Sequence, residues 1–271
     1  RNQGLSGRFT YDYDQRYLLE FNFGYNGTER LAKGDRFEFF PAVSLGWLVS
    51  NEKFFEPLSN IVTSLKLRGS YGLVGSDETG GADSPHFLYI DNVQVTGDGR
   101  PGFITGENLN VGYYGPVVKQ WAVQNGGWER VKKLDVGLDL ELFRELSVTF
   151  DFFYDKRYNI LLHREAWPQS LGFHEAKPWS NKGKVDNWGY EFSTNWRKQL
   201  TKDLTMDFRG TFTYTQNKYV DLDEPIYPYV WQTSTGKPLN RRTGYIAEGL
   251  FQSQEEIDNS PTQNLGSKPM P

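Results

Sequence analysis

The chain has 271 residues, enough for one large domain or two modest ones, and a formal net charge of -4 that offers no global attraction to nucleic acid. No stretch approaches the roughly 18 consecutive apolar residues of a spanning helix. Cys 0 removes disulfides, thiolate metal sites and cysteine nucleophiles together, and His 3 supplies a metal site poorly. Aromatic residues at 16% exclude a disordered chain and, with Gly 28, fit a β-rich one that meets water on one face and something apolar on the other.

Side chains alternate with a period of two along most of the sequence. Leu5, Gly7, Phe9, Tyr11 and Tyr13 share one parity, and Tyr17, Leu19, Phe21, Phe23 and Tyr25 follow after Asp14-Gln15. Phe37 to Val49 carries Pro41 and apolar residues on both parities, which predicts a strand of uncertain register with room for a bulge. Ser50 to Glu56 has the look of a short capped helix. Strands resume at Leu65–Tyr71, Leu134–Leu142, Leu146–Tyr154, Tyr190–Trp196 and Leu204–Tyr214. A helical reading fails, because Asp135, Asp139 and Glu141 would fall among the leucines rather than opposite them.

The two faces differ in kind. Lys66, Arg68, Asp135, Asp139, Asp151, Asp207 and Arg209 occupy mid-strand positions of the polar parity, where they are expected to face a watery lumen. Aromatics such as Tyr11, Tyr17, Tyr154, Trp196 and Tyr214 gather toward strand ends, where the girdles of an outer-membrane barrel meet the interfaces. Connections alternate between tight (Asp14-Gln15, Phe143 to Glu145, Lys198 to Asp203) and long (26–36, 76–130, 157–186, and all past 218). Short periplasmic turns and long outer loops have this rhythm. The pattern predicts an all-β, antiparallel transmembrane barrel wall. A soluble aromatic-rich β-sandwich that binds carbohydrate, or a glycoside hydrolase using Asp139 and Asp151, remains the alternative.

Several strings then match a known family in order. Gly4-Leu5-Ser6-Gly7-Arg8-Phe9 with Arg16-Tyr17-Leu18-Leu19-Glu20, Phe39-Phe40-Pro41-Ala42-Val43 with Ser50-Asn51-Glu52-Lys53-Phe54, and Leu65-Lys66-Leu67-Arg68-Gly69 all resemble the SusC/RagA-like TonB-linked outer-membrane proteins of Bacteroidetes. So do Lys133 to Asp139, Asp151 to Arg157, Asn181-Lys182-Gly183 with Gly189 to Phe192, and Gly244 to Phe251. The resemblance implies a barrel of about 22 strands filled by a plug and energised by TonB. It implies pairing with a SusD-like surface lipoprotein, and import of glycans or oligosaccharides, in some members peptides. It places the protein among outer-membrane lipid rather than with nucleic acid. Residues 1–271 would then be a partial β-barrel domain of about eight to ten strands, without plug or closing C-terminal strands.

No catalytic or metal constellation emerges, and no cofactor is expected. His86, His163 and His174 lie far apart in predicted loops, and there is no H-E-x-x-H, G-x-S-x-G or Walker spacing. Asp221 and Asp223-Glu224 read as a polar outer loop rather than a Ca²⁺ loop. The loop aromatics Tyr113, Tyr114, Trp121, Trp128, Trp167, Trp179 and Trp231 are the candidate substrate contacts, since flat rings suit the apolar face of a sugar. The competing expectation is that such rings pack loops together or anchor a partner.

Overall fold

Alternation makes strands, and the tight turns decide which strands become neighbours. A computed structural model describes residues 2–78, 87–95, 103–113, 115–123, 126–168, 177–247 and 249–261. The long strands are β1 (Asn2–Tyr13), β2 (Tyr17–Thr28), β3 (Phe37–Leu48) and β4 (Val62–Ser76), with β9 (Glu129–Leu142), β10 (Leu146–His163), β11 (Trp179–Gln199) and β12 (Thr205–Asp221). They form one eight-stranded antiparallel sheet in the order β1-β2-β3-β4-β9-β10-β11-β12, with β1 and β12 at its edges. Inside the long β4–β9 connection, β5 (Asn92–Gln94) pairs with β8 (Val117–Gln120), and β6 (Phe103–Thr105) with β7 (Val111–Tyr113). Residues 1–239 form one unit. The second, 240–271, contains the short helix Gln254–Asp258, whose Ser253 cap accepts a hydrogen bond from the Glu256 N–H.

The register carries the binary pattern from strand to strand. Tyr13, Tyr17, Trp47, Leu67, Leu138, Phe150, Phe192 and Phe212 lie in one row across all eight strands. The next row holds Tyr11, Leu19, Leu45, Gly69, Val136, Phe152, Tyr190 and Tyr214. Tyr190 stacks on Phe150, Phe212 and Tyr214, with ring centroids 5.2 to 6.4 Å apart. This face stays open: Leu45 is 61% exposed and Phe208 55%. Among the described residues no second sheet covers it, whereas a soluble sandwich would bury it.

The two tightest hairpins share a geometry. Asp14 and Gln15 (φ 55° and 50°), and Phe143 and Arg144 (φ 56° and 60°), are consecutive left-handed residues. Arg16 N–H bonds Tyr13 O at 3.0 Å, and Glu145 N–H bonds Leu142 O at 3.0 Å. Type I′ turns of this kind match strand twist but favour glycine. Arg144→Gly is therefore expected to stabilise the wall by about 1 kcal/mol, because the left-handed region costs other residues about 1–2 kcal/mol and glycine's unfolded-state entropy takes part of that back. Its main-chain bond to Thr63 Oγ1 (3.1 Å) survives the change. Urea unfolding of the bilayer-inserted protein measures the gain.

Three local expectations change. Ser50 to Glu56 does not form a capped α-helix: it falls in 3-10 turns at Val49–Asn51 and Lys53–Leu58, with no side-chain cap bond. Glu52 instead accepts hydrogen bonds from the Tyr17 hydroxyl (2.7 Å), Trp47 Nε1 (3.1 Å) and Arg16 Nη1 (3.3 Å). The Tyr17 and Trp47 bonds, with Arg16 beside them, hold its carboxyl below the usual carboxylate range. Pro41 produces no bulge. β3 pairs with β2 without interruption, while its ladder with β4 stops at Ala42, next to the residue that lacks an N–H. Above that point the two strands fork, and the cluster of Leu31, Phe40 and Trp128, with Leu73 against it, packs there. Finally, half of the predicted loop 157–186 is strand: β10 runs to His163 past a bulge at Arg157/Ile160, and β11 begins at Trp179.

Candidate functional site

The polar parity concentrates at the middle of the sheet. Arg68 on β4 faces Gly137 on β9, and Gly137 faces Asp151 on β10. With no side chain between them, the guanidinium crosses β9 and places Nη2 2.5 Å from Asp151 Oδ1. Its Nη1 lies 3.3 Å from Asp135 Oδ1, and its Nε 3.2 Å from Asp139 Oδ2. A Cβ on Gly137 would stand 2.3 Å from Asp151 Oδ1 and 2.6 Å from Arg68 Cζ, so the bridge requires glycine there. One cation thus gathers three carboxylates from two neighbouring strands. Lys66 is opposite Asp139, and Glu191 is opposite Asp151. Asp207 and Arg209 share the parity but sit on β12, opposite Arg197 and Asn195, away from this bridge.

Chemically, this arrangement braces and solvates; it sets up neither a nucleophile nor a base beside one. Among the described residues no group of three or more His, Asp or Glu side chains could hold a metal ion. His86 and His174 lie outside the described residues. Asp223 accepts hydrogen bonds from Arg164 and from Lys182 Nζ (3.3 Å), tying the β10–β11 connection to the end of β12. Glu224 accepts from the main-chain N–H groups of Ser234 (2.8 Å) and Thr235 (2.9 Å) and from the Thr235 hydroxyl (2.7 Å). Burial works to raise its pKa, but these bonds prevail and hold it below the ordinary value.

The aromatic candidates are dispersed over the side of the sheet that carries the long connections. Tyr113 ends β7, 58% exposed, its ring 6.3 Å from that of Phe103. Tyr114 lies outside the described residues. Trp121 follows β8 and is 40% exposed. Trp167 sits in the β10–β11 connection with Arg164 Cζ 5.3 Å above its ring. Trp179 opens β11 rather than lying in a loop, and its ring is tilted by 33° against that of His163 with centroids 3.6 Å apart. Trp231 is exposed beside Tyr229, nearly parallel to it at 5.9 Å, on the segment that Glu224 pins. Trp128 is different: it is 6% exposed, lies edge-on to Phe40 at 5.2 Å, and donates its indole N–H to Arg36 O at 3.2 Å. A cavity of about 30 Å³ lined by Leu31, Asp77, Leu88, Val123 and Asn181 has room for a water or two and none for a sugar ring.

Sequence reading has Asp135, Asp139 and Asp151 pairing with Arg or Lys across the ladder or facing water, and it missed only that the single Arg68 reaches all three through the gap at Gly137. It also missed the Asp223 and Glu224 clamps, whose partners lie up to 59 residues away in the chain.

Comparison with known proteins turns this geometry into a family. The model of the TonB dependent receptor-like β-barrel matches residues 1–253. TonB-dependent receptor P3 of Formosa agariphila is 29% identical over 249 residues, covering 90% of this chain and 23% of its own length. TonB-dependent receptor SusC of Bacteroides thetaiotaomicron is 26% identical over 269 residues, or 96% of this chain and 26% of its own. The chain therefore spans about a quarter of the length of these relatives. The RagAB peptide transporter structure superposes with a TM-score of 0.65 over 82% of this chain and 22% of that one, at 21% identity, which shows a shared fold. An eight-stranded wall that is apolar on one side and ionic on the other, matched over this length, belongs to the TonB-dependent receptor β-barrel family of the bacterial outer membrane.

Proposed function

We propose that this chain is a section of the wall and outer loops of a TonB-energised nutrient importer whose cargo is a glycan or oligosaccharide. The remaining strands and the plug would lie outside residues 1–271, and a SusD-like surface lipoprotein would cover the outer mouth. The wall does no bond chemistry. Its ladder satisfies backbone polar groups in lipid, while its polar face, with Lys66, Arg68, Asp135, Asp139, Asp151, Asp207 and Arg209, lines the passage.

The observation that carries the sugar reading is the Tyr229–Trp231 pair, two exposed parallel rings held on a pinned segment. Such rings offer the apolar surface that a pyranose stacks on, beside main-chain groups for its hydroxyls. Tyr113, Trp121 and Trp167 are the further proposed contacts. In cells carrying the whole importer, Trp231→Ala is expected to weaken oligosaccharide uptake by up to about tenfold, the equivalent of about 1.4 kcal/mol, without lowering the amount inserted. Labelled oligosaccharides and labelled peptides are to be compared in the same cells. Uptake of peptides alone would overturn the sugar reading.

A further inference from the structure

Cations are matched differently on the two faces near the side of the sheet that carries the long connections. On the polar face they have carboxylates: Lys133 Nζ lies 3.7 Å from Asp155, and Arg157 Nη1 2.8 Å from Glu129. On the apolar face the register sets Lys132, Lys156, Asp186 and Lys218 in a single row across β9, β10, β11 and β12. All three lysines are exposed. Among the described residues none of the three makes an ion pair, while Lys133, Lys182 and Lys184 each do. Asp186 lies directly across from both Lys156 and Lys218 without forming an ion pair with either, and Lys132 Nζ stands 5.6 Å from the Tyr158 ring centroid.

Lys132 and Lys156 are direct cross-strand partners. Like charges so placed, on strands about 4.8 Å apart, repel one another unless an anion lies between them. The polar-face carboxylates cannot serve, because they project from the other side of the sheet. The next row toward the tight turns is Leu134, Tyr154, Trp188 and Gln216, with Val136, Phe152, Tyr190 and Tyr214 beyond it. The ammonium groups therefore stand at the aromatic edge of the apolar band, on the side of the long connections, which faces the cell exterior. A lysine inside hydrocarbon would be costly, but at this level its head reaches the headgroup layer.

We infer that Lys132, Lys156 and Lys218 bind the phosphate-bearing headgroup of a lipid in the outer leaflet, with Lys132 and Lys156 straddling one phosphate. The inference rests on the chain's place in an outer-membrane wall and is independent of the cargo the importer carries, so an uptake assay and a lipid assay fail separately. The test uses the whole transporter in phosphatidylcholine vesicles containing either phosphorylated lipid A or the same glycolipid with its phosphates removed. Phosphorylated lipid A is expected to be retained through purification and the dephosphorylated form lost. Each Lys→Gln change should weaken retention about fivefold, and Lys132→Gln, Lys156→Gln and Lys218→Gln together about a hundredfold. The three Lys→Arg changes should preserve it, as should Lys133→Gln on the opposite face. If the triple glutamine variant does not fold, Lys156→Gln alone decides. Equal retention of the dephosphorylated glycolipid, or unchanged retention by the glutamine variants, would overturn the inference. So would displacement of bound lipid A by millimolar inorganic phosphate, which would make free phosphate the ligand.

Discussion

Leu138→Arg is expected to destabilise the membrane-inserted protein by about 2–4 kcal/mol, and Val148→Arg to do the same, whereas Asp151→Asn should insert normally. Leu138 sits between Leu67 and Phe150 in a row that is apolar across every strand, and Val148 is opposite Leu140. No carboxylate stands in that row or in the row of Val136 beside it, and at mid-bilayer the arginine head reaches no water. Asp151 lies one residue from Phe150 in sequence but on the other face, where Arg68 keeps Asp135 and Asp139 if one carboxylate becomes an amide. Equilibrium unfolding of vesicle-inserted protein gives the first value, and the yield of the protease-resistant inserted form gives the second. Silent arginines combined with a failed Asp151→Asn would mean that the two faces are assigned backwards.

That contrast also explains what the sequence discloses. A period-two pattern is sharp only where the two faces meet different solvents, and Leu134 to Leu142 and Leu146 to Tyr154 show it cleanly because one parity meets hydrocarbon and the other water. Beyond the apolar band both faces meet polar surroundings or other protein, so alternation fades while the ladder continues. Lys182, Lys184, Asp186 and Asn187 look like a loop for that reason, yet β11 runs through them, 21 residues long. The tight turns are legible for a different reason: their length is fixed by the hairpin, even though, Asp14 apart, none of Gln15, Phe143 and Arg144 is a residue that a type I′ turn prefers. Contacts that join distant segments leave no local pattern. Gly137 records the Arg68 bridge only as a missing side chain, and Arg164 gives no hint of Asp223. Aromatic residues are the least legible, because a ring that packs a fork and a ring that meets a ligand have the same chemistry until burial separates them.

Trp128 and Trp231 put that separation to the test. Trp128→Ala is expected to cost about 3–5 kcal/mol, the range for removing a large buried aromatic side chain. The ring fills the fork where β3 leaves β4, lying against Phe40 in a cluster with Leu31. Its truncation opens a cavity that the paired strands on either side cannot collapse, and it leaves Arg36 O without the indole donor. A Trp128→Phe variant keeps most of the packing and loses that hydrogen bond, so it should recover more than half of the stability. Trp231, 67% exposed, has no comparable packing to lose. Trp231→Ala should unfold at the same denaturant concentration as the parent yet show weakened uptake, while Trp128→Ala should unfold early and lose uptake only in proportion to the protein that remains inserted. Normalising uptake to inserted protein distinguishes the two: a Trp128→Ala protein with parental stability and reduced normalised uptake would return that ring to the substrate path.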